Sequence, residues 1–283
     1  MCLQANFWLN LQIIFTIGKI KTQFLLCFFI KMRLDEFLVK TEYFNSRTKA
    51  KESICRGEIF VNDKVILKPS FSVSEDDKVE VKNIVSTFVS VGGFKLEKAL
   101  KDFDFSVLNK VAVDLGASTG GFTDCLLQNG IKKVYAVDLN DELLDNRLKL
   151  DKRVKTVIKN ARFIEKADFN EQIDIVVADL SFISITYVLP AVYNLLEDGK
   201  DCIFLIKPQF ENDEKIKFKN GIVSDKKYRV GACKKIYDFV VDLGFCVEGF
   251  TTAPIVKGKN IEYLIKLKKS GDTSLSFSQL AIE

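Results

Sequence analysis

The sequence of 283 residues contains no histidine. This absence excludes Ser-His-Asp and Cys-His nucleophile systems, histidine-ligated metal sites and a histidine general base. Any general base in this protein must therefore be an aspartate, glutamate, lysine, tyrosine or cysteine side chain.

Paired cysteine motifs and prolines are also scarce. No Cys-x-x-Cys pair occurs, the number of cysteines is odd, and only four prolines are present, which argues against long disordered linkers. Scattered unpaired thiols are typical of a reducing cytosol. We therefore expect a cytoplasmic protein with no disulfide and no metal site. The seven cysteines are Cys2, Cys27, Cys55, Cys125, Cys202, Cys233 and Cys246.

No apolar run approaches the ~20 residues that span a bilayer. Residues 1–31 lack acidic side chains and contain apolar runs at 13–17 and 24–30, but Lys19 and Lys21 interrupt them. No basic region precedes these runs, as it would in a signal peptide. We interpret 1–31 as an over-extended reading frame with the natural start at Met32; a targeting or membrane-surface segment is the alternative.

The composition allows one large domain or one large and one small domain. Hydrophobic residues make up 47% of the chain, enough for a sizeable core. The net charge of +4 permits an anionic partner without requiring one.

A buried strand followed by a glycine-rich turn is the most informative stretch. Residues 111–115 form the predicted strand, 116–121 the turn and 122–127 the start of a helix. Glycines allow positive φ and close approach of a ligand to the backbone. The glycine spacing argues against a dinucleotide site, and the lack of a following Gly-Lys-Ser/Thr excludes a Walker loop.

Strand-like and helix-like segments alternate from residue 110 onward, which is typical of an open, mostly parallel sheet with helices on both faces. Asp138, Asp179 and Lys207 fall at the carboxyl ends of predicted strands, where such sheets bind their ligands. We therefore expect these side chains to share one edge with the glycine turn. The predicted strands are 111–115, 133–138, 154–158, 173–179, 202–207, 246–250 and 262–267.

A different pattern precedes residue 85. It predicts two short helices, at 33–38 and 46–56, then a hairpin over 59–66 with an Asn62-Asp63 turn, and a strand over 77–81. From the charges alone, an RNA-binding face and an ordinary solvated face are equally supported. The arrangement resembles the S4 RNA-binding module. The resemblance implies RNA contacts at Arg33, Arg47, Lys49, Lys51 and Arg56.

The turn itself, Asp114-Leu-Gly-Ala-Ser-Thr-Gly-Gly-Phe122, resembles the cofactor turn of S-adenosylmethionine-dependent methyltransferases. In that resemblance Asp138 holds the ribose hydroxyls of the cofactor. The last two strands would form the antiparallel hairpin that is typical of the fold. The cofactor-binding residues implied are Asp114, Gly116, Ala117, Ser118, Gly120, Gly121, Phe122 and Asp138.

The whole chain from Met32 resembles the TlyA family of ribosomal RNA 2′-O-methyltransferases, also called haemolysin A. The resemblance is carried by Gly92-Gly-Phe-Lys95, Asp179-Leu-Ser-Phe-Ile-Ser184, Leu205-Ile-Lys-Pro-Gln-Phe-Glu211 and Lys257-Gly-Lys-Asn-Ile-Glu262, together with the cofactor turn. It implies a catalytic tetrad of Lys95, Asp179, Lys207 and Glu262. From spacing alone, Lys95 would be an ordinary surface lysine.

The resemblance implies a Rossmann-like class I methyltransferase domain, with a seven-stranded, mostly parallel sheet and an antiparallel last strand, preceded by a small α+β S4 domain. The expected domains are 1–31 (leader), 32–85 (S4), 86–100 (linker and connecting helix), 101–270 (methyltransferase) and 271–283 (tail). The implied cofactor is S-adenosylmethionine, and the implied substrate is a cytidine ribose in ribosomal RNA.

Methylation of a ribose hydroxyl is an in-line displacement that needs an oriented hydroxyl and an acceptor for its proton. Lys207 is our candidate acceptor. Burial and a neighbouring Lys95 would lower its pKa, whereas Asp179 and Glu262 would oppose that shift. The alternative functions are an RNA-binding ribosome assembly factor without activity and a membrane-active haemolysin.

Overall fold

The computed structural model describes residues 31–44, 46–55, 57–74, 76–81, 88–212, 216, 218–272 and 275–283. The chain divides into two units, Met1–Ser86 and Thr87–Glu283. The division lies next to the predicted boundary between residues 85 and 86. Except for Lys31, the predicted leader falls outside the described residues.

The described part of the first unit contains two helices and short strands around a small core. Ser46 caps the second helix, because its hydroxyl accepts a hydrogen bond from the Lys49 N–H at 3.3 Å. Asn62 and Asp63 both have positive φ, as a two-residue hairpin turn requires. The elements are β1 (Met32–Arg33), α1 (Leu34–Lys40), α2 (Arg47–Cys55), β2 (Ile59–Val61), β3 (Lys64–Val65), β4 (Ser72–Val73) and β5 (Val79–Val81).

In this unit β2 pairs antiparallel with both β3 and β5, while β1 pairs with β4. The helices bury apolar side chains spaced one turn apart against the strands. These core residues are Leu34, Leu38, Ala50, Ile54, Ile59, Val61 and Val73.

The second unit alternates strands and helices as predicted. Its elements are α3 (Gly92–Asp102), β6 (Val111–Leu115), α4 (Gly121–Gln128), β7 (Lys133–Asp138), α5 (Asn146–Lys149), β8 (Val154–Ile158), β9 (Ile175–Ala178), α6 (Leu189–Leu195), β10 (Asp201–Ile206), α7 (Pro208–Glu211), α8 (Lys226–Asp242), β11 (Phe245–Thr252) and β12 (Tyr263–Lys269). Single 3₁₀ turns lie at Ala161–Phe163, Lys166–Asp168, Ile185–Tyr187, Lys219–Gly221 and Phe277–Gln279.

These strands form one sheet in the order β11-β12-β10-β9-β6-β7-β8. Strands β6 to β10 pair in parallel, whereas β12 is antiparallel to both of its neighbours. The predicted seven-stranded sheet with an antiparallel last strand is therefore confirmed.

The sheet is covered on both faces. Val111, Val113 and Leu115 pack into one apolar cluster, while Ala112 between them packs into the other. This alternation explains why the strand at 111–115 is apolar except for Asp114, since strands buried on both faces need no polar side. The predicted tail is partly anchored to this unit, because the Tyr237 hydroxyl donates to the Leu275 carbonyl and Leu280 is buried.

Two further properties concern the described residues only. Cys55, Cys125, Cys202, Cys233 and Cys246 are free thiols, and no group of three acidic or cysteine side chains is placed to hold a metal ion. No helix in the same part of the chain combines the length and apolar character that crossing a membrane requires.

Candidate functional site

Four charged side chains meet at the carboxyl edge of the parallel strands. Asp179 directly follows β9, and Lys207 directly follows β10. Because β12 runs in the opposite direction, Glu262 just before it arrives at the same edge. Lys95 comes from the first turn of α3. The sheet topology thus brings together residues that lie far apart in the sequence.

Asp179 stands between two lysines in this cluster. Its Oδ1 lies 2.5 Å from Lys207 Nζ, and its Oδ2 lies 3.4 Å from Lys95 Nζ. Lys95 Nζ also lies 2.7 Å from Glu262 Oε2, and Lys207 Nζ donates to the Ser181 hydroxyl at 2.8 Å. The result is one continuous chain of ion pairs and hydrogen bonds.

The charged cluster is largely withdrawn from water. The side chain of Lys207 is 9% exposed, and those of the other three are 15–21% exposed. Burial alone would lower the pKa of Lys95, but the carboxylates of Asp179 and Glu262 outweigh burial and raise it. Lys95 is therefore a fixed cation at the edge of the site.

The glycine turn is fastened to the neighbouring strand β7. The backbone N–H groups of Gly116 and Ala117 both donate to the Val137 carbonyl, at 2.9 and 3.1 Å. The Asp138 carboxylate accepts from the Ser118 N–H and the Leu139 N–H, each at 2.7 Å. The position of Asp138 against the turn is thus fixed by hydrogen bonds through both of its oxygens.

The three glycines of the turn meet different requirements. Gly116 has a φ of +76°, and a Cβ there would lie 3.1 Å from the Asp179 carbonyl oxygen. Gly120 has a φ of +94° and packs under Leu148. A Cβ on Gly121 would lie 2.3 Å from Ser90 Oγ. Gly120 and Gly121 are therefore required by packing within the protein, and not only by approach of a ligand.

Asp114 lies beneath the turn and is wholly buried. Its Oδ2 accepts from the Thr123 hydroxyl at 2.7 Å, while Oδ1 has no partner among the described residues. Burial raises the pKa of Asp114 to about 7, opposed by the Thr123 hydrogen bond and helped by the negative charge of Asp179. Because Asp114 has no exposed surface, this unpaired oxygen is closed off from the solvent side of the turn.

A cleft of about 1260 Å³ opens over the turn and the edge of the sheet. Its walls include Gly116, Ser118, Asp138 and Asp179 from the predicted site residues. Ala117 lines a small hollow beside it, together with Ser118 and Asp138. The remaining predicted cofactor residues, Asp114, Gly120, Gly121 and Phe122, are buried behind the turn.

Several residues of the cleft were not among the predicted site residues. Asn160, Arg162, Ser181 and Phe182 line it, and Phe182 is 90% exposed with a φ of +67°. In the sequence, the apolar pair Phe182-Ile183 suggests core packing. The only signal for an exposed ring is that Phe182 comes three residues after Asp179, which ends a predicted strand.

Glu211 is a further residue of the site that was not predicted from the sequence. It is buried on α7, where its carboxylate accepts from the Ser184 hydroxyl and, at 3.0 Å, from the Ile185 N–H. Burial raises its pKa, although these two hydrogen bonds oppose the shift. Glu211 therefore fastens the far end of the segment that begins with Asp179.

The predicted RNA contacts of the first unit surround a buried carboxylate. Arg33 lies 2.9 Å and Arg47 3.0 Å from the oxygens of Asp35, and Lys51 lies 3.8 Å away. Burial alone would raise the pKa of Asp35, but hydrogen bonds from both arginines outweigh it and lower the pKa to about 2. Lys49 is exposed on the same helix, and Arg56 lies outside the described residues.

Comparisons with known proteins match a family model to each of the two units. Residues 88–269 match the model of the FtsJ-like methyltransferase family, and residues 32–79 match the S4 domain model. Hemolysin A of Brachyspira hyodysenteriae is 41% identical, over 82% of this chain and 98% of that protein.

Two further relatives have similar coverage. The 16S/23S rRNA (cytidine-2′-O)-methyltransferase TlyA of Mycobacterium tuberculosis is 33% identical over 87% of this chain and 93% of its own. A solved structure from Streptococcus thermophilus, provisionally described as a hemolysin, is 38% identical with a TM-score of 0.67. It covers 86% of this chain and 90% of that one. The chain therefore belongs to the FtsJ-like methyltransferase family and, within it, to the TlyA group that joins this domain to an S4 domain.

Proposed function

We propose that the protein transfers the methyl group of S-adenosylmethionine to the 2′-hydroxyl of a cytidine ribose in ribosomal RNA. The observation that carries the proposal is the assembly of Lys95, Asp179, Lys207 and Glu262 beside the glycine turn and Asp138. The TlyA relative is named for this reaction, which supports extending it to the present chain.

The residues of the cleft fit the proposed cofactor. The Asp138 carboxylate can accept hydrogen bonds from two ribose hydroxyls, since each oxygen retains a free lone pair beyond its backbone N–H. Gly116 and Ser118 line the cleft beside Asp138, so the backbone of the turn can contact the cofactor there. When bound, S-adenosylmethionine supplies an electrophilic methyl group.

The chain's own contribution is to orient the hydroxyl and to remove its proton. Asp179 holds Lys207 from one side and Ser181 holds it from another, which leaves one Nζ direction for the substrate. Lys95 and Glu262 fix the opposite side of Asp179. In this proposal Lys207 contacts the reacting hydroxyl and accepts its proton, while the other three residues position it.

An exposed aromatic ring at the cleft suits an RNA substrate. Phe182 is three residues beyond Asp179, and its ring centroid lies 5.3 Å from that of Phe210. Proteins that bind single-stranded RNA commonly stack bases on such rings. We include Phe182 in the proposed substrate surface, and Arg33, Arg47, Lys49 and Lys51 in the proposed RNA contacts of the S4 unit.

The test is methyl transfer to purified small and large ribosomal subunits from cells that lack this protein. Wild-type protein should incorporate labelled methyl groups, and mapping should place them on the 2′-oxygen of cytidine. Lys207→Ala should reduce incorporation about a hundredfold to ten-thousandfold, because it removes the group that contacts the hydroxyl and accepts its proton.

Lys266→Ala is the matched control. Lys266 is also a buried lysine in ion pairs, with Glu248 at 2.5 Å and Asp201 at 3.3 Å. Neither of these partners lines the cleft, whereas Asp179 and Ser181, the partners of Lys207, both do. It should lose stability comparably and retain most of its rate per folded molecule. Near-normal activity of Lys207→Ala would refute its role. Subunit binding without any methyl transfer by the wild type would favour an assembly factor instead.

A further inference from the structure

We infer that Asp35 is a positioning residue for RNA: it holds Arg33 and Arg47 so that their free N–H groups face the RNA backbone. The negative charge of Asp35 thereby strengthens binding of a polyanion. This inference rests on the proposed function, because it requires RNA as the partner of the S4 unit.

The geometry around Asp35 is that of a shared anchor. Arg33 binds it with two nitrogens, Nε to Oδ1 at 2.9 Å and Nη2 to Oδ2 at 3.2 Å. Arg47 Nη2 donates to the same Oδ2 at 3.0 Å, and Lys51 Nζ is 3.8 Å from it. Three cations, one from β1 and two from α2, are thus held around one carboxylate.

The arrangement leaves most of the donors free. A guanidinium carries five N–H groups in a rigid plane, and Arg33 uses only two of them on Asp35. The side chains of Arg33, Arg47 and Lys51 are 44–49% exposed, whereas that of Asp35 has no exposed surface. A phosphate arriving from solvent would therefore meet the cations first and would not contact the carboxylate.

Fixing the arginines in advance should improve binding. A free arginine side chain loses rotamer freedom when it binds a phosphate, and an anchored one has already lost it. Without the anchor, Arg33 and Arg47 would also repel one another as like charges. Simple electrostatics predicts the opposite result, since removing a negative charge should strengthen binding to RNA.

Glu36 provides the matched comparison. It is the next residue of α1 and also pairs with Arg47, at 3.1 Å, but its side chain is 41% exposed. Exposed ion pairs of this kind contribute little to order. Asp35→Asn and Glu36→Gln therefore make the same change in charge at adjacent positions, and only the first removes the buried anchor.

The experiment measures the affinity of the full chain for purified small and large ribosomal subunits at several KCl concentrations. We expect Asp35→Asn to bind about tenfold more weakly than wild type. Its salt dependence should also be shallower, by about 0.7 to 0.9 in the log–log slope for each RNA phosphate that the variant no longer neutralises. Glu36→Gln should bind as tightly as wild type or more tightly. Equal or tighter binding by Asp35→Asn would overturn the inference.

A second variant covers the case in which Asp35→Asn unfolds the S4 unit, which thermal unfolding would reveal. Arg47→Lys preserves the charge and leaves Asp35 in place, but it lacks the planar group that can contact Asp35 and a phosphate together. It should weaken binding severalfold, whereas Lys40→Arg, at the exposed end of α1, should not. Equal affinities for these two variants would overturn the inference.

The outcomes separate this inference from the proposed function. Methyl transfer by the wild type together with undiminished binding by Asp35→Asn and Arg47→Lys would refute the role of Asp35 alone. Failure of the wild type to bind or methylate either subunit would refute both proposals.

Discussion

Asp114→Asn should remove a pH-dependent loss of stability that the buried Asp114 carboxyl, beneath the glycine turn, causes in the wild-type protein. The carboxyl of Asp114 is wholly buried, and its pKa is about 7 instead of the ordinary 3.8. At 1.36 kcal/mol per pH unit, that difference corresponds to roughly 4 kcal/mol. The perturbation is small in shape, because asparagine has nearly the same volume.

The sign follows from proton binding. Between about pH 4 and 7, the unfolded chain has released the Asp114 proton and the folded protein still holds it. The folded state therefore binds more protons, so its stability falls as the pH rises through this window and levels off above pH 7. Asparagine has no proton to release, so the variant lacks this contribution at every pH.

The assay is urea unfolding of both proteins at intervals from pH 4 to 8. The free energy of unfolding of Asp114→Asn, minus that of wild type, should increase across this range by up to about 4 kcal/mol. Using the difference cancels other titrating groups, including Glu211, whose pKa is also raised by burial. An imperfect hydrogen bond of the new amide would shift this difference by the same amount at every pH and would not alter its change with pH.

Asp174→Asn is the control of opposite sign. Burial would raise the pKa of Asp174, but hydrogen bonds from Lys200 and the Val111 N–H lower it. That substitution should destabilise the protein throughout the neutral range, and its effect should shrink in additional measurements below pH 4. Parallel stability curves for wild type and Asp114→Asn between pH 4 and 8 would refute the reasoning.

Three other substitutions test separate parts of the site. Gly121→Ala should lower the free energy of unfolding by about 1 to 3 kcal/mol, because its Cβ would overlap Ser90 Oγ. Its control is Gly231→Ala, in open space within α8, which should raise the free energy of unfolding by about 0.5 to 1 kcal/mol. Equal effects of the two substitutions in urea unfolding would contradict the packing argument. Glu211→Ala should slow methyl transfer about tenfold at saturating substrates by releasing Ser184 and Ile185. Glu211→Gln should retain most of the rate, because its amide oxygen can accept from the Ile185 N–H and its amide N–H can donate to the Ser184 hydroxyl. Similar rates for the two variants would exclude a positioning role. Asp138→Ala should weaken S-adenosylmethionine binding about tenfold to a hundredfold in calorimetry, and unchanged affinity would remove Asp138 from the cofactor site.

The strands could be predicted to within two residues because runs of β-branched residues mark them directly. Strand ends were harder to place: Asp179 and Lys207 lie one residue beyond β9 and β10, although they were predicted within those strands. The two-residue strands β1 and β4 were missed, since so short a segment has no period to detect.

The site was harder to predict from pattern than the sheet. Spacing alone made Lys95 a surface lysine, because the acids that surround it come from β9 and the start of β12. Nothing in the sequence indicated that Asp35 is buried among cations, since an aspartate in the first turn of a helix usually faces solvent. Both assignments depend on contacts between distant segments, which only the folded chain reveals.

The reversed direction of β12 has a consequence for synthesis of the protein. Strands β6 to β10 and the glycine turn precede the final hairpin along the chain, so they can leave the ribosome and begin to pair first. Glu262 stands at the start of the last strand, and its partner Lys95 was translated long before it. A nascent chain would thus complete the glycine turn before its ion-pair chain was closed. If the proposed roles hold, the newly made protein would become competent for methyl transfer only when β12 had entered the sheet.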